Sequence, residues 1–237
     1  MKFKRRMAQV CDVIDLSKHM RRIVVTGDDL ADIPSGLESA HVKVIFPTSG
    51  ESKPKLSFDL GLKKRMRSYT IRYFDAKTRQ LTMDFAVNDH VGLATQWASQ
   101  AKVGDFIGIA GPGEIKHTDF FADWHLIVAD LTALPAAAAT IEKLPKEATG
   151  HAFIQVPSSQ DIQDILCPEH LNIHWVINGD LQNNALLNKV TEMTWQNGVP
   201  AIFIAAGSKH MKAIRQFVLT KPNTAKEKIY ASGYWKS

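Results

Sequence analysis

Apolar and polar positions alternate with a period of two through most of the first half of the chain. Residues 10–16, 21–26, 41–46, 66–74, 81–87 and 106–110 are short runs rich in β-branched and aromatic side chains. Such alternation predicts strands, each buried on one face. Turn-forming stretches separate them, among them Gly27-Asp28-Asp29, Pro34-Ser35-Gly36 and Pro47-Thr48-Ser49-Gly50. Many short strands with one interrupting helix predict a small Greek-key β-barrel. Residues 49–64 are polar, glycine-bearing and charged, which predicts a long exposed loop.

The rhythm changes in the second half. Trp-His-Leu-Ile-Val-Ala at 124–129 reads as a buried strand, and an alanine-rich helix follows over 133–144. Further strands are expected at 152–156, 173–177 and 201–206, with helices at 181–190 and 208–219. Strands that alternate with helices predict a parallel sheet covered on both faces. The expected fold is therefore a β-barrel domain over residues 1–118 followed by an α/β domain over 119–237, with the change near Gly111-Pro112-Gly113 and the residues just beyond.

Composition narrows the function. At 237 residues with 45% hydrophobic and 22% charged positions, the chain has the make-up of a soluble globular protein. A net charge of +5 suits an anionic ligand, a nucleic acid or a membrane surface. The aromatic-interleaved basic strands of nucleic-acid modules are absent, so no nucleic-acid partner is expected. No apolar run is long enough to span a bilayer, and the basic start is not followed by a hydrophobic region. Stable membrane insertion is not expected, and a cytoplasmic location is. Cys11 and Cys167 are far apart and form no C-x-x-C pair, so neither a disulfide framework nor a metal centre held by the chain is expected. His117, Asp119 and Asp123 fall at the domain linker, and Ser158-Ser159 lacks a nucleophile elbow.

Two stretches carry chemistry. Arg67-Ser68-Tyr69-Thr70-Ile71-Arg72 reads as a strand offering a guanidinium, hydroxyls and a phenol ring together. An Arg fork matches phosphate oxygens, and an aromatic face stacks on a flat ring. Asn88-Asp89-His90-Val91-Gly92-Leu93-Ala94-Thr95 follows a strand and opens a helix. The amides of that first turn lack helical partners and, with the helix dipole, favour an anion.

With His41 to Pro47, Gly104-Asp105, Gly111-Pro112-Gly113, Ala129-Asp130-Leu131-Thr132-Ala133-Leu134-Pro135-Ala136 and Gly233-Tyr234-Trp235-Lys236, the order of motifs resembles the ferredoxin–NADP reductase superfamily. Within it, the chain resembles the siderophore-interacting proteins, FAD-dependent ferric-siderophore reductases. The resemblance runs over nearly the whole chain. It implies FAD as cofactor, an NAD(P)-binding-like second domain, and a cytoplasmic reductase that releases siderophore iron as Fe(II). No side chain acts as a catalytic acid, base or nucleophile in such chemistry.

By position, the resemblance implies that Arg67, Gly92, Ala94 and Thr95 hold the FAD pyrophosphate. Tyr69 is implied to stack on the isoalloxazine, with Thr70 near N5 and Ser68, Ile71 and Arg72 along the same edge. Asp84, Val87, Asn88, His90, Thr132, Ala133 and Trp235 complete the implied cofactor contacts. Lys43, Lys236 and Lys116 are implied to meet the ferric siderophore, whose oxygen-rich surface suits exposed ammonium groups. Departures at Leu131 and Ser208 fall on the side where a nicotinamide would dock, so the donor stays open between NADH, NADPH and reduced ferredoxin. Two alternatives stand beside this reading: a flavin reductase or electron-transfer protein with another acceptor, and a binder of ferric chelates that does not reduce them.

Overall fold

The alternating runs of the first half form seven antiparallel strands in the computed structural model, which describes residues 4–87, 92–115 and 119–236. They are β1 (Arg5–Ser17), β2 (Met20–Thr26), β3 (His41–Ile45), β4 (Met66–Thr70), β5 (Tyr73–Asp75), β6 (Gln80–Ala86) and β7 (Phe106–Ala110). Their order in the sheet is β4-β3-β7-β1-β2-β6-β5. β4 and β5 stand at opposite ends of that order, yet they are two halves of one bent segment. Ile71 donates its N–H to Ala40 O at 2.8 Å, and Arg72 donates to Thr82 O at 2.9 Å. The chain thus leaves the β3 edge and joins the β6 edge within two residues, closing the sheet as a Greek-key barrel.

This bend explains why the period of two fails at one place. Strict alternation would expose every second residue, yet Thr70, Ile71 and Arg72 are 8%, 0% and 3% exposed. A strand that changes partners turns both faces inward at the crossing.

Inward residues of the barrel, among them Val25, Val42, Val44, Met83, Phe85 and Ile109, form its core. Helix α1 (Leu93–Gln100) packs Ala94 and Ala98 against this core. The other end of α1 is held by Arg21, whose Nη1 donates to Ala98 O at 3.1 Å and Ser99 O at 2.7 Å. A cation there meets the negative end of the helix dipole. β1 starts earlier than its alternation suggests because Arg6 is internal: it pairs with Asp32 at 2.6 Å and donates to Gly111 O at 2.6 Å. The polar stretch between β3 and β4 is not wholly loose, since Leu62 is buried with Ile45 and Ala110, and Leu56 and Met66 pack against them.

The second half forms β8 (Trp124–Asp130), α2 (Leu134–Ile141), β9 (Gly150–Val156), β10 (Leu171–Ile177), α3 (Ala185–Glu192), β11 (Pro200–Ala206), α4 (Ser208–Val218) and β12 (Ile229–Gly233). All strands are parallel, in the order β10-β9-β8-β11-β12. β8 and β11 are buried along their whole length. The strand order reverses between these two, and open α/β sheets form ligand crevices beyond the carboxyl ends at such a switch. β12 escaped the sequence pattern because it is a half-buried edge strand, Ile-Tyr-Ala-Ser-Gly, with no apolar run. The chain divides into compact units at Met1–Ile115 and Lys116–Ser237. Among the described residues no helix is long and apolar enough to cross a membrane.

Candidate functional site

β4 is built by its pairing with β3, which sets Arg67 opposite Val44, Ser68 opposite Lys43, and Tyr69 opposite Val42. Because Val42 and Val44 face the core, Tyr69 and Arg67 lie on the core-facing side of their strand, and Lys43 and Ser68 on the other. The Tyr69 ring is half-buried, 4.0 Å from the Phe85 ring centroid and 6.4 Å from that of Phe46. Burial pushes its phenol well above the usual tyrosine range, opposed by the nearby Arg67 charge. Arg67 itself is exposed, and its Nη1 donates only to the carbonyls of Lys64 at 2.9 Å and Met66 at 2.8 Å. Among the described residues it pairs with no carboxylate.

Trp97 of α1 touches the same aromatic group, 5.4 Å from Phe46 and 5.9 Å from Phe85. Strand β4 and helix α1, some twenty-five residues apart in sequence, therefore meet on one cluster. Gly92 caps α1 in extended backbone, and among the described residues no side chain closes the turn and no acidic residue lies in it. The donors of Leu93, Ala94 and Thr95 are left as an anion site. A guanidinium held only by local carbonyls among the described residues, a half-buried ring and a helix start suit a dinucleotide carrying a flat ring.

The neighbouring polar residues are committed to the scaffold. Asp84 is 3% exposed and accepts from Arg22 Nε at 2.7 Å and Arg22 Nη2 at 2.8 Å. Arg72 Nε lies 3.9 Å from the other side of the same carboxylate, and its guanidinium sits 4.3 Å from the Tyr73 ring centroid. Thr70 stands opposite His41, and Ser68 accepts a hydrogen bond from Lys43 Nζ. Val87 is half-buried against the core and donates to His19 O at 2.9 Å. Asn88, His90 and Lys116 lie outside the described residues.

In the second unit, Thr132, Ala133 and Trp235 come together at the carboxyl ends of β8 and β11. The group that joins them is one the sequence reading missed. Asp130, 2% exposed, accepts at Oδ1 from Thr132 N at 2.9 Å and Thr132 Oγ1 at 2.5 Å. Its Oδ2 accepts from Gly207 N at 2.9 Å and Trp235 Nε1 at 2.7 Å. Ala133 N donates to Asp130 O at 3.0 Å, so the turn into α2 hangs on the same residue. The signal was present in the sequence: an acidic residue ends a strand that is otherwise apolar, and buried charge demands partners. Lys236 follows Trp235 and is exposed.

Residues 9–116 match the siderophore-interacting FAD-binding domain, and residues 122–237 match the siderophore-interacting protein family. The chain is 32% identical over 231 residues to ferric vibriobactin reductase ViuB of Vibrio cholerae, covering 93% of this chain and 85% of that protein. It resembles the solved siderophore utilization protein from T. fusca at 31% identity and a TM-score of 0.88, covering 100% of this chain and 94% of the other. The siderophore-interacting protein SipS from Aeromonas hydrophila gives 30% identity and the same TM-score, with 99% and 92% covered.

Proposed function

This chain belongs to the siderophore-interacting protein family and is a flavoprotein oxidoreductase with FAD as its cofactor, and from that premise we propose that it reduces ferric siderophores and releases their iron as Fe(II) in the cytoplasm. Siderophore oxygen donors are hard and hold Fe(III) far better than Fe(II), so one electron loosens the metal. FAD supplies the means of taking a two-electron hydride and passing electrons on singly. Each hydride from NADH or NADPH, or each pair of reduced ferredoxins, balances the reduction of two Fe(III).

The residues of the chain bind and orient. Arg67 and the amides of Gly92, Ala94 and Thr95 take the pyrophosphate, the guanidinium exchanging its two local carbonyls for phosphate oxygens. Tyr69 and Thr70 take the flat ring, with Ser68, Ile71 and Arg72 along the edge. Asp84 acts at one remove, holding Arg72 and Arg22 in place, and Val87 packs beside them. Thr132 and Ala133, like Trp235, are proposed contacts to the donor or cofactor from the resemblance alone. Lys236, exposed, and Lys43, half-buried with its Nζ on Ser68, offer ammonium groups to an anionic chelate. Asn88, His90 and Lys116 are proposed contacts from the resemblance alone.

The observation that carries this reading is Arg67, which has no carboxylate partner among the described residues, beside the half-buried Tyr69 ring. Its test is anaerobic: the bound flavin is photoreduced, then an anionic ferric tris-catecholate is added. Recovery of the oxidised flavin spectrum with two Fe(II) captured per flavin is expected. Flavin that stays reduced after the chelate has bound would leave a ferric-chelate binder instead.

A further inference from the structure

A C-terminal segment is ordinarily loose unless something ties it down, and here the ties are specific. Tyr234 N donates to Ala206 O at 2.9 Å, and Trp235 O accepts from Ser208 N at 2.8 Å and Ser208 Oγ at 2.9 Å. The indole of Trp235 lies so close over Gly207 that a Cβ there would sit 2.5 Å from the ring. Its Nε1–H ends on Asp130, 105 residues away in sequence and on another strand. A carboxylate has about four acceptor positions, and Asp130 receives four hydrogen bonds from Thr132, Gly207 and Trp235.

We infer that Asp130 is a positioning residue: by gripping the indole of Trp235 it fixes the C-terminal segment and so sets where Lys236 meets an anionic chelate. The inference rests on the proposed function, which makes Lys236 a substrate contact. Lys236 lies one residue beyond the anchored indole, with its own side chain exposed. A cation whose backbone is already ordered loses less freedom when it binds, which is the advantage of preorganisation. Asp130 is suited to this because all of its partners donate. Asparagine at the position would turn an NH2 group toward N–H donors and lose part of the grip.

The test compares the parent protein with Asp130→Asn, Gly207→Ala, Lys236→Ala and the Asp130→Asn/Lys236→Ala double variant. All are labelled with 5-fluorotryptophan, and Trp235→Phe assigns the Trp235 resonance. The chelate is ferric tris(2,3-dihydroxybenzoate), titrated by fluorescence quenching with FAD content recorded for each protein. Asp130→Asn and Gly207→Ala are expected to shift and narrow the Trp235 resonance toward that of a mobile indole. Each is expected to weaken chelate binding by up to about tenfold, with the double variant no weaker than Lys236→Ala. Gly207→Ala strains the same contact from the other side, so the test survives if Asp130→Asn fails to fold. An unchanged Trp235 resonance, or losses from Asp130 and Lys236 that multiply, would overturn the inference. A parent protein that reduces the chelate while Lys236→Ala binds it normally also overturns it, yet leaves the proposed function standing. A parent without affinity for the chelate brings down both.

Discussion

The barrel edge and the strand ends of the α/β unit both gather polar side chains, but they differ in what those groups are bonded to. On the barrel, among the described residues, Arg67 reaches only two local carbonyls and the start of α1 has no side-chain cap. At the ends of β8 and β11, every donor around Asp130 has found its acceptor. Buried polar groups must be paired, because leaving one unmade costs its full desolvation. A saturated cluster therefore holds architecture, whereas an open one awaits a ligand. Asp84 shows that this is not a property of the unit, since it sits in the barrel and is held at both oxygens by Arg22.

The largest effect that sharpens the contrast is on Asp84. Replacing it with Ala leaves Arg22 and buried Arg72 without their carboxylate, and breaking such a pair costs roughly 3–5 kcal/mol. Urea denaturation is expected to show that loss in full. Arg67→Ala is expected to do the reverse. Its removal costs FAD affinity by a factor of about 10–100, the worth of a charged hydrogen bond, while the urea midpoint of the FAD-free protein stays where it was. Equal stability losses in the two variants would erase the distinction.

A smaller effect concerns pH and the second unit. Burial lowers the pKa of His125, His151 and His174 below the ordinary 6.5, and for His151 the His174 charge adds to it. His151 Nδ1 and His174 Nε2 are 3.0 Å apart, so both cannot carry a proton facing the other. A depressed histidine binds fewer protons folded than unfolded, and stability then rises with pH. Below about pH 6.5 the folded state is expected to weaken progressively, and His174→Gln is expected to flatten part of that slope in urea midpoints taken from pH 5 to 8. A pH-independent midpoint would show the histidines to be unperturbed.

Much of the fold was legible because strand and helix periods differ: the first half is dominated by one, and the second switches between them. What was not legible depended on tertiary partners. Residues 70–72 break alternation because the strand passes from Ala40 to Thr82, a change no local pattern encodes. β12 lacks an apolar run because it is an edge. Arg67, Tyr69 and Gly92 stood out in the sequence because a guanidinium, a phenol and a glycine are unusual within an otherwise regular strand and helix start. Asp130 was hidden because its partners Gly207 and Trp235 lie 77 and 105 residues away. A carboxylate ending an apolar strand was the local clue.

The contrast between open and saturated clusters is tested most directly by amide hydrogen exchange on the protein stripped of FAD and then reloaded. On adding FAD, amides of Leu93, Ala94 and Thr95 and of β4 are expected to gain protection. Those of Thr132, Gly207 and Tyr234, already bonded within the chain, are expected to change little. Protection gained only at the β8 and β11 ends, with none at the start of α1, would contradict the placement of the cofactor on the barrel.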